Sequence, residues 1–329
     1  MNVLVTGAAG YIGSHAVRAL LAAGHSAVAL DNLSRGHRAA VPKDAPFIQA
    51  DVRDTDRIRG VLQEHDIECV LHFAAFAYVG ESVERPLLYF DNNTGGTLGL
   101  LKAVAESDCR RLVFSSTCAT YGEPDSMPIR EDTPQRPINP YGTSKLLSEH
   151  MLRDMARHVP GFGCALLRYF NVAGAATDGS LGEHHDPETH LIPAILMAAL
   201  GRQPEVTVHG DDYPTPDGTC IRDYVHVDDL VDAHLAVMDC LLPGDARVFN
   251  VGMGRGHSVH EILQAARSVV SRPFKVVVGP RRAGDPPVLF ADPSKITTEI
   301  GWQARRTDIE AIIASAWRWF AAHPHGYDD

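Results

Sequence analysis

No stretch of the sequence runs for about 18 apolar residues, the length a membrane-spanning helix requires. No basic and apolar leader precedes the first strand signal, and repeats, low-complexity segments and linkers are missing. Positive charge is scarce: 30 lysines and arginines face 41 aspartates and glutamates, and a net charge of −11 argues against nucleic acid or an anionic membrane as the main partner. A small anionic ligand stays open, because a local arginine cluster can outweigh the global charge. The six cysteines, Cys69, Cys109, Cys118, Cys164, Cys220 and Cys240, form no C-x-x-C pair and read as reduced thiols without a metal role. These absences predict a cytoplasmic protein. What is present is ordinary for a globular enzyme: 329 residues, 45% hydrophobic and 22% charged, enough for two domains.

The opening "VTGAAGYIGSH" (Val5 to His15) reads as strand, loop and helix. Asn2 to Val5 is a short buried strand. Tyr11 to Gly24 carries Ile12, Ala16, Ala19, Leu20 and Ala23 on one helical side before stopping at a glycine. Between them Gly7, Gly10 and Gly13 are spaced G-x-x-G-x-x-G, unlike the commonest dinucleotide fingerprint in spacing but similar in physics. Glycine permits φ > 0 and close approach to a pyrophosphate, and a helix N-terminus offers unpaired N–H groups. A second strand, Ser26 to Asn32, ends in Asp31, 24 positions after Gly7. An acid there accepts hydrogen bonds from the adenosine ribose and repels a 2′-phosphate, so NAD is preferred to NADP. Arg35 and Arg38 follow closely and could hold a phosphate instead. The bland alternatives are a βα turn without ligand and an aspartate that merely opens a turn.

Apolar runs at "APFIQA", "ECVLHFAA", "RLVFSS" and "CALLRYFN" alternate with amphipathic stretches of helix length. That order predicts an α/β fold, a doubly wound parallel Rossmann sheet with helices on both faces. Ligands of such sheets bind at the carboxyl ends of strands, where "DVRD", "HFAA", "SSTCATYG" and "YFN" fall. Beyond about Asn171 the alternation weakens. Polar loops at "GAATDGSLGEHHDPETH" and "GDDYPTPDGTC" surround a helix at "LIPAILMAALG", later joined by a helix at "VDDLVDAHLAVM" and strands at "VFNVG" and "FKVVVG". We expect an NAD-binding Rossmann domain over 1–170, to which the chain returns around 221–250, and a smaller α/β substrate-binding C-terminal domain over 171–329. "GEHHDPETH" (Gly182 to His190) invites a metal reading, but it has neither H-x-x-x-H helix spacing nor a cysteine partner. A polar loop near the substrate, with no metal, is the expectation.

"NPYGTSK" places Tyr141 and Lys145 four residues apart at a helix start, on one face. A nearby cation favours the phenolate of a tyrosine whose free pKa is about 10, making it a base or acid for an alcohol proton. Ser115, Ser116 and Thr117 leave the fifth strand just upstream, where hydroxyls can align a substrate oxygen with that phenol. A chance Y-x-x-x-K and a Ser/Thr turn are the structural readings.

With these motifs assembled, the sequence resembles the extended short-chain dehydrogenase/reductase family, and within it the UDP-glucose (UDP-galactose) 4-epimerases. The resemblance runs nearly end to end, through "LDNLSRG", "SSTCATYGEP", "LRYFNVAGA", "HLIP", "DGTCIRDYVHVDDL", "FNVG" and "RRAGDPP". It implies NAD-dependent epimerisation at C4 of a UDP-sugar through a 4-keto intermediate, and a homodimer built on helices of the cofactor domain. By the same resemblance Gly7, Gly10, Tyr11, Ile12 and Gly13 would hold the pyrophosphate, Asp31 and Asn32 the ribose, and Asp51 and Val52 the adenine. Phe73, Ala74, Ala75, Asn92, Ser115 and Tyr169 would line the rest of the cofactor groove. Tyr141, Lys145 and Thr117 would be catalytic, with Tyr141 and Lys145 also touching the cofactor and Thr117 and Tyr141 the sugar. Asn171, His190, Leu191, Arg222, Arg282 and Asp285 would grip the UDP-sugar, the arginines by paired hydrogen bonds to phosphate.

Two positions depart from the family. Ala77 stands where some members carry a cofactor-binding lysine, and Leu289 is intermediate in size at a position that sets which sugars fit. UDP-xylose, UDP-arabinose and UDP-N-acetylhexosamines are therefore alternative substrates. A nucleotide-sugar 4,6-dehydratase would want an Asp-Glu pair directly after the hydroxyl, where this chain has Cys118 and Ala119. A non-catalytic NAD-dependent regulator would tend to lack the Tyr/Lys pair.

Overall fold

The fold was analysed in a computed structural model that describes residues 1–282 and 285–328. Its first half alternates strictly. β1 (Asn2–Thr6), α1 (Tyr11–Ala22), β2 (Ser26–Asp31), β3 (Phe47–Gln49), α2 (Thr55–Glu64) and β4 (Cys69–His72) come first. Then follow α3 (Val79–Glu84), α4 (Pro86–Tyr89), α5 (Gly96–Ala105), β5 (Arg111–Thr117), α6 (Pro140–His158) and β6 (Gly163–Tyr169). A π-helical turn, Phe90–Gly95, leads into α5.

The later chain is less regular, with β7 (Asn171–Ala173), α7 (Leu191–Ala199), β8 (Val206–His209), β9 (Ile221–Arg222), β10 (Tyr224–His226), α8 (Val227–Asp239) and β11 (Ala246–Val251). It ends with β12 (His257–Ser258), α9 (Val259–Val269), β13 (Val276–Gly279), β14 (Val288–Leu289), α10 (Ser294–Ile300) and α11 (Ile309–Ala322).

Seven strands form one sheet in the order β11-β6-β5-β4-β1-β2-β3. Every pairing in it is parallel. The chain leaves β1 toward β2 and β3, then crosses back to β4 on the other side of β1, which places the topological switch between β1 and β4. β11 completes the far edge, so "VFNVG", read at first among the strands of the later region, belongs to the main sheet.

Alternate strand residues face two separate cores, as a period of two requires. Val3, Val5, Leu71, Val113 and Leu167 pack with Val17 and Leu20 of α1 and with Leu230 and Val237 of α8. Leu4, Val70, Leu112 and Leu166 pack with Ile58, Leu100 and Leu152 on the other face. The buried side of α1 is rotated from the expected one: Val17 is in the core and Ala23 is exposed, because α8 covers the helix from a direction its own sequence does not encode. A third core gathers Ile192, Ile195, Val206, Val208, Ile262, Ile312 and Trp319 around the smaller α/β unit.

Three histidines are buried as neutral groups. His72 lies between the Thr6 and Thr97 hydroxyls, and burial pushes its pKa down to about 3, with Lys145 adding to the effect. Burial likewise lowers His226 and His234 to about 4. Between pH 6.5 and these values the unfolded chain binds protons that the folded chain refuses, so stability is lost as pH falls through that window. We expect each to cost on the order of 1.5 kcal/mol between pH 6.5 and pH 5. A urea midpoint that drops steeply over this interval, read by fluorescence, checks it; a flat midpoint would contradict it.

Candidate active site

At the nucleotide end, two of the three glycines are demanded by the protein itself. Gly7 has φ +71°, and a Cβ there would stand 2.6 Å from the Ala74 nitrogen; at Gly13 a Cβ would stand 2.0 Å from the Gly7 carbonyl. Gly10 differs, since a Cβ there would meet only the Gly7 oxygen at 3.3 Å. Its bareness leaves open backbone at the start of α1, and no side chain caps that helix. Unclaimed first-turn N–H groups beside bare backbone suit a pyrophosphate, so these residues fit a dinucleotide.

Asp31 clasps this loop, accepting from the Ala9 N–H at 3.0 Å and the Leu33 N–H at 2.8 Å. Asn32 donates to Asp51 at 2.9 Å, joining the ends of β2 and β3. Hydrogen bonds from Arg53 hold the Asp51 carboxyl far below the usual range against a smaller opposing effect of burial. Arg35 pairs with Glu81 and lies 4.2 Å over the Phe76 ring, while Arg38 lies 4.4 Å over Phe47. Both arginines are thus engaged with protein groups, which leaves the preference for NAD standing.

Val52 is buried against Gly96, and Phe73, Ala74 and Ala75 run half-buried past the end of β4, with Ile12 half-buried beside the loop and Ala77 exposed. Tyr11 donates its hydroxyl to the Gly174 carbonyl at 2.6 Å, stitching α1 to the segment after β7. Asn92 donates to Asn93 at 3.0 Å. Asn93, which no motif singled out, bonds both the N–H and the C=O of Phe76 and reaches the Ser144 hydroxyl, fixing the loop after β4 to α6.

The centre forms where α6 meets β5. Asn139 caps α6, and a Cβ on Gly142 would lie 2.5 Å from the Ala119 carbonyl, so only glycine lets the helix start press against the turn after Thr117. That contact sets Tyr141 beside the turn that follows Thr117. Burial pushes the phenol pKa well above its usual value, nearby Tyr169 adds to this, and Thr117 works against it.

Lys145 departs from expectation. Its ammonium donates to the Ser115 carbonyl at 2.9 Å and lies 4.8 Å over the Phe114 ring, and the groups that act most on the phenol are burial, Tyr169 and Thr117. Burial lowers the Lys145 pKa to about 7, and Glu149 opposes the shift. The Ser115 hydroxyl meets the Tyr169 hydroxyl.

One turn beyond Lys145 stands a buried ion pair that motif reading missed. Arg168 donates to the two Glu149 oxygens at 2.8 and 2.6 Å, and Ser116 donates to the same carboxylate at 2.6 Å. Burial would raise the Glu149 pKa, but hydrogen bonds and charge from Arg168 outweigh it and keep the carboxyl ionised.

On the substrate side, Arg222 of β9 pairs with Asp285 and donates to the Ile221 carbonyl. Burial raises the Cys118 thiol to about 12, and the positive charge of Arg222 opposes the shift. Asn171 donates its backbone N–H to Asp223 at 3.0 Å. Arg282 is exposed; Ala283 and Gly284 of the "RRAGDPP" stretch lie outside the described residues. Leu289 is buried with Tyr121, Ile129, Phe170 and Ala291.

His190 precedes α7, which begins at Leu191. Here "GEHHDPETH" is a loop, as expected, and its side chains cluster. It gathers Glu183, His185, Glu188 and His190 so that one ligand atom from each lies within 4.8 Å of the others.

A parallel sheet with its switch point beside an uncapped glycine loop, and a half-buried tyrosine with a buried lysine at the same carboxyl edge, define a Rossmann-fold enzyme of the short-chain dehydrogenase/reductase class. The chain belongs to the NAD dependent epimerase/dehydratase family, whose profile matches residues 3–252. It is similar to a UDP-glucose 4-epimerase of Lacticaseibacillus casei, 50% identical over 100% of this chain and 99% of that one. It is also similar to a putative UDP-arabinose 4-epimerase of Arabidopsis thaliana, 45% identical over 99% of this chain and 78% of that one. Among solved structures, UDP-glucose 4-epimerase from Bifidobacterium longum in complex with NAD+ and UDP superposes with a TM-score of 0.95 at 40% identity, covering 99% of this chain and 100% of that one.

Proposed function

We infer that the chain inverts C4 of a UDP-sugar, converting UDP-galactose to UDP-glucose and back, with NAD resident throughout turnover. The observation that carries this reading is Tyr141 at the start of α6, pressed against the turn after Thr117 at the end of β5, with Lys145 buried one helical turn on. Cys118 and Ala119 follow Thr117 in place of the acid/base pair that a dehydratase needs.

Bound NAD supplies the hydride acceptor and donor for C4 and, through its cationic ring, a charge that favours the phenolate. Gly10 and the start of α1 would hold its pyrophosphate and Asp31 its ribose. Tyr141 takes the proton of the 4-hydroxyl as C4 is oxidised and returns it as the 4-keto sugar is reduced on its other face. Thr117 aligns the sugar oxygen with the phenol. Lys145, anchored on Ser115, holds the nicotinamide ribose. Arg222, Arg282, Asp285, Asn171, His190 and Leu191 grip the UDP half, so the sugar can turn about its phosphate linkage without leaving.

This reading assigns 1–170 with 221–250 to cofactor binding and the remainder to the sugar nucleotide. It also includes a homodimer: Val83, Leu87, Leu98 and Leu147 are exposed on α3, α4, α5 and α6, the helices of the expected contact. Sedimentation should give a single species of twice 35.7 kDa, and monomer alone at micromolar concentration would remove the dimer. No helix among the described residues is long and apolar enough to cross a membrane, and six free cysteines suit the cytoplasm we assign to it.

Proton NMR of the protein with UDP-galactose and no added cofactor tests the function. The UDP-glucose anomeric signal should grow to a constant ratio. If the spectrum stays unchanged even with added NAD, the hexose reading falls. The similarity to a UDP-arabinose epimerase then makes UDP-arabinose the next substrate to run.

A further inference from the structure

We propose that Glu183, His185, Glu188 and His190 form a binding site for one divalent transition-metal ion of the Zn2+ type, which pins the loop ahead of α7.

The distances are those of ligands around a common centre. His185 Nδ1 lies 3.1 Å from Glu183 Oε1 and 3.6 Å from Glu188 Oε2. His190 Nδ1 lies 3.0 Å from Glu183 Oε1 and 2.9 Å from Glu188 Oε1. A tetrahedral ion with bonds of 2.0–2.2 Å to nitrogen and oxygen sets its ligands about 3.4 Å apart, within this spread. Two imidazoles and two carboxylates are the mixed nitrogen and oxygen set that zinc accepts.

Hydrogen bonding accounts for His190, whose Nδ1 meets Glu188 Oε1 at 2.9 Å, but not for His185. His185 Nδ1 is buried and has no hydrogen-bond partner, although two carboxylate oxygens flank it. Ligands aimed at a point between them produce that arrangement, whereas a donor aimed at an acceptor does not. As an ion-pair network the cluster would also need two positive imidazolium rings with centroids 5.2 Å apart. The two carboxylates are 5% and 2% exposed, and their ion partners are these histidines, not an arginine or lysine. One divalent cation balances two carboxylates and leaves both imidazoles neutral.

The surroundings are built to hold the ligands. Glu188 Oε1 also accepts the N–H groups of Thr189 and His190, each at 2.7 Å, which fixes its carboxylate as outer bonds do around metal ligands. The Tyr78 ring stands edge-on to His185 at 5.9 Å and 6.5 Å from His190. All four ligands lie within eight consecutive positions, so the ion would tie this loop to the start of α7. His190 is shared with the substrate side of the proposed function, where the ion would engage its Nδ1, so the site is tested by metal binding and not by activity.

The test uses full-length protein purified without immobilised-metal chromatography, stripped with a chelator and titrated with Zn2+ and separately with Co2+. We expect close to one Zn2+ per chain and, with Co2+, the intense visible bands of a four- or five-coordinate site. His185→Asn and Glu188→Gln should each weaken Zn2+ binding more than tenfold and abolish the cobalt bands. Zn2+ bound equally by wild type and both variants marks adventitious surface histidines and overturns the site. So does a wild-type cobalt spectrum that is absent or six-coordinate, a result that holds even if the variants fail to fold.

Discussion

Tyr141→Phe is expected to lower turnover by about 10²- to 10⁴-fold, the usual loss when a positioned acid/base is removed. NAD content and the unfolding transition should be unchanged. The ring is packed edge-on to Tyr89 at 6.4 Å, and a phenylalanine fills the same space without the oxygen. The neighbouring Thr117 hydroxyl accepts from the Ala119 N–H whether or not the phenol oxygen is present. Because burial raises the phenol pKa in the protein alone, its role as base depends on the charge that bound NAD supplies, and the effect should appear in kcat more than in KM. Steady-state rates and the absorbance of cofactor released on denaturation measure both halves. Turnover within a few-fold of wild type would remove Tyr141 as the base.

The second large effect is on stability. Arg168→Met should destabilise the fold by about 3–5 kcal/mol, because it removes the buried guanidinium that holds both Glu149 oxygens. Glu149 has no exposure and Arg168 has 1%, so neither can recover hydration without distorting the sheet. Gln135 and Arg153 stay within 3.0 and 3.1 Å of the carboxylate, which is why the loss stays at this size. Arg168→Lys keeps a charge but not the paired donors, and should fall between the two. Urea unfolding at neutral pH reads the series. A loss below about 1 kcal/mol for the methionine variant would show the pair to be energetically neutral.

The parts of this site that could be read from the sequence are those fixed by local spacing. Gly7, Gly10 and Gly13 sit in a loop bounded by its own strand and helix, and Asp31 ends the next strand, so their neighbourhood is settled within a few residues. Tyr141 and Lys145 share a helix face for the same reason.

What spacing left hidden was set by distant packing. Lys145 turns to the Ser115 carbonyl because β5 passes beneath α6, a relation no heptad or turn rule contains. Gly142 belongs to no spacing rule, and only the folded contact shows that the Ala119 carbonyl excludes any side chain there. Arg168 hid in the apolar run "CALLRYFN", since its partner Glu149 lies 19 residues earlier. The four residues of "GEHHDPETH" are spaced two, three and two apart, a pattern of no regular element, and only the folded loop brings them together.

The central claim is that C4 is oxidised and then reduced by the same hydrogen, with no exchange with solvent. The measurement that tests it most directly is turnover of UDP-galactose carrying deuterium at C4, followed to equilibrium in ordinary water by NMR and mass spectrometry. The account predicts that the UDP-glucose formed keeps the deuterium at C4 in full. Loss of the label would contradict it: loss to water requires a deprotonation at carbon, and loss to free nucleotide requires release of the cofactor between the two half-reactions.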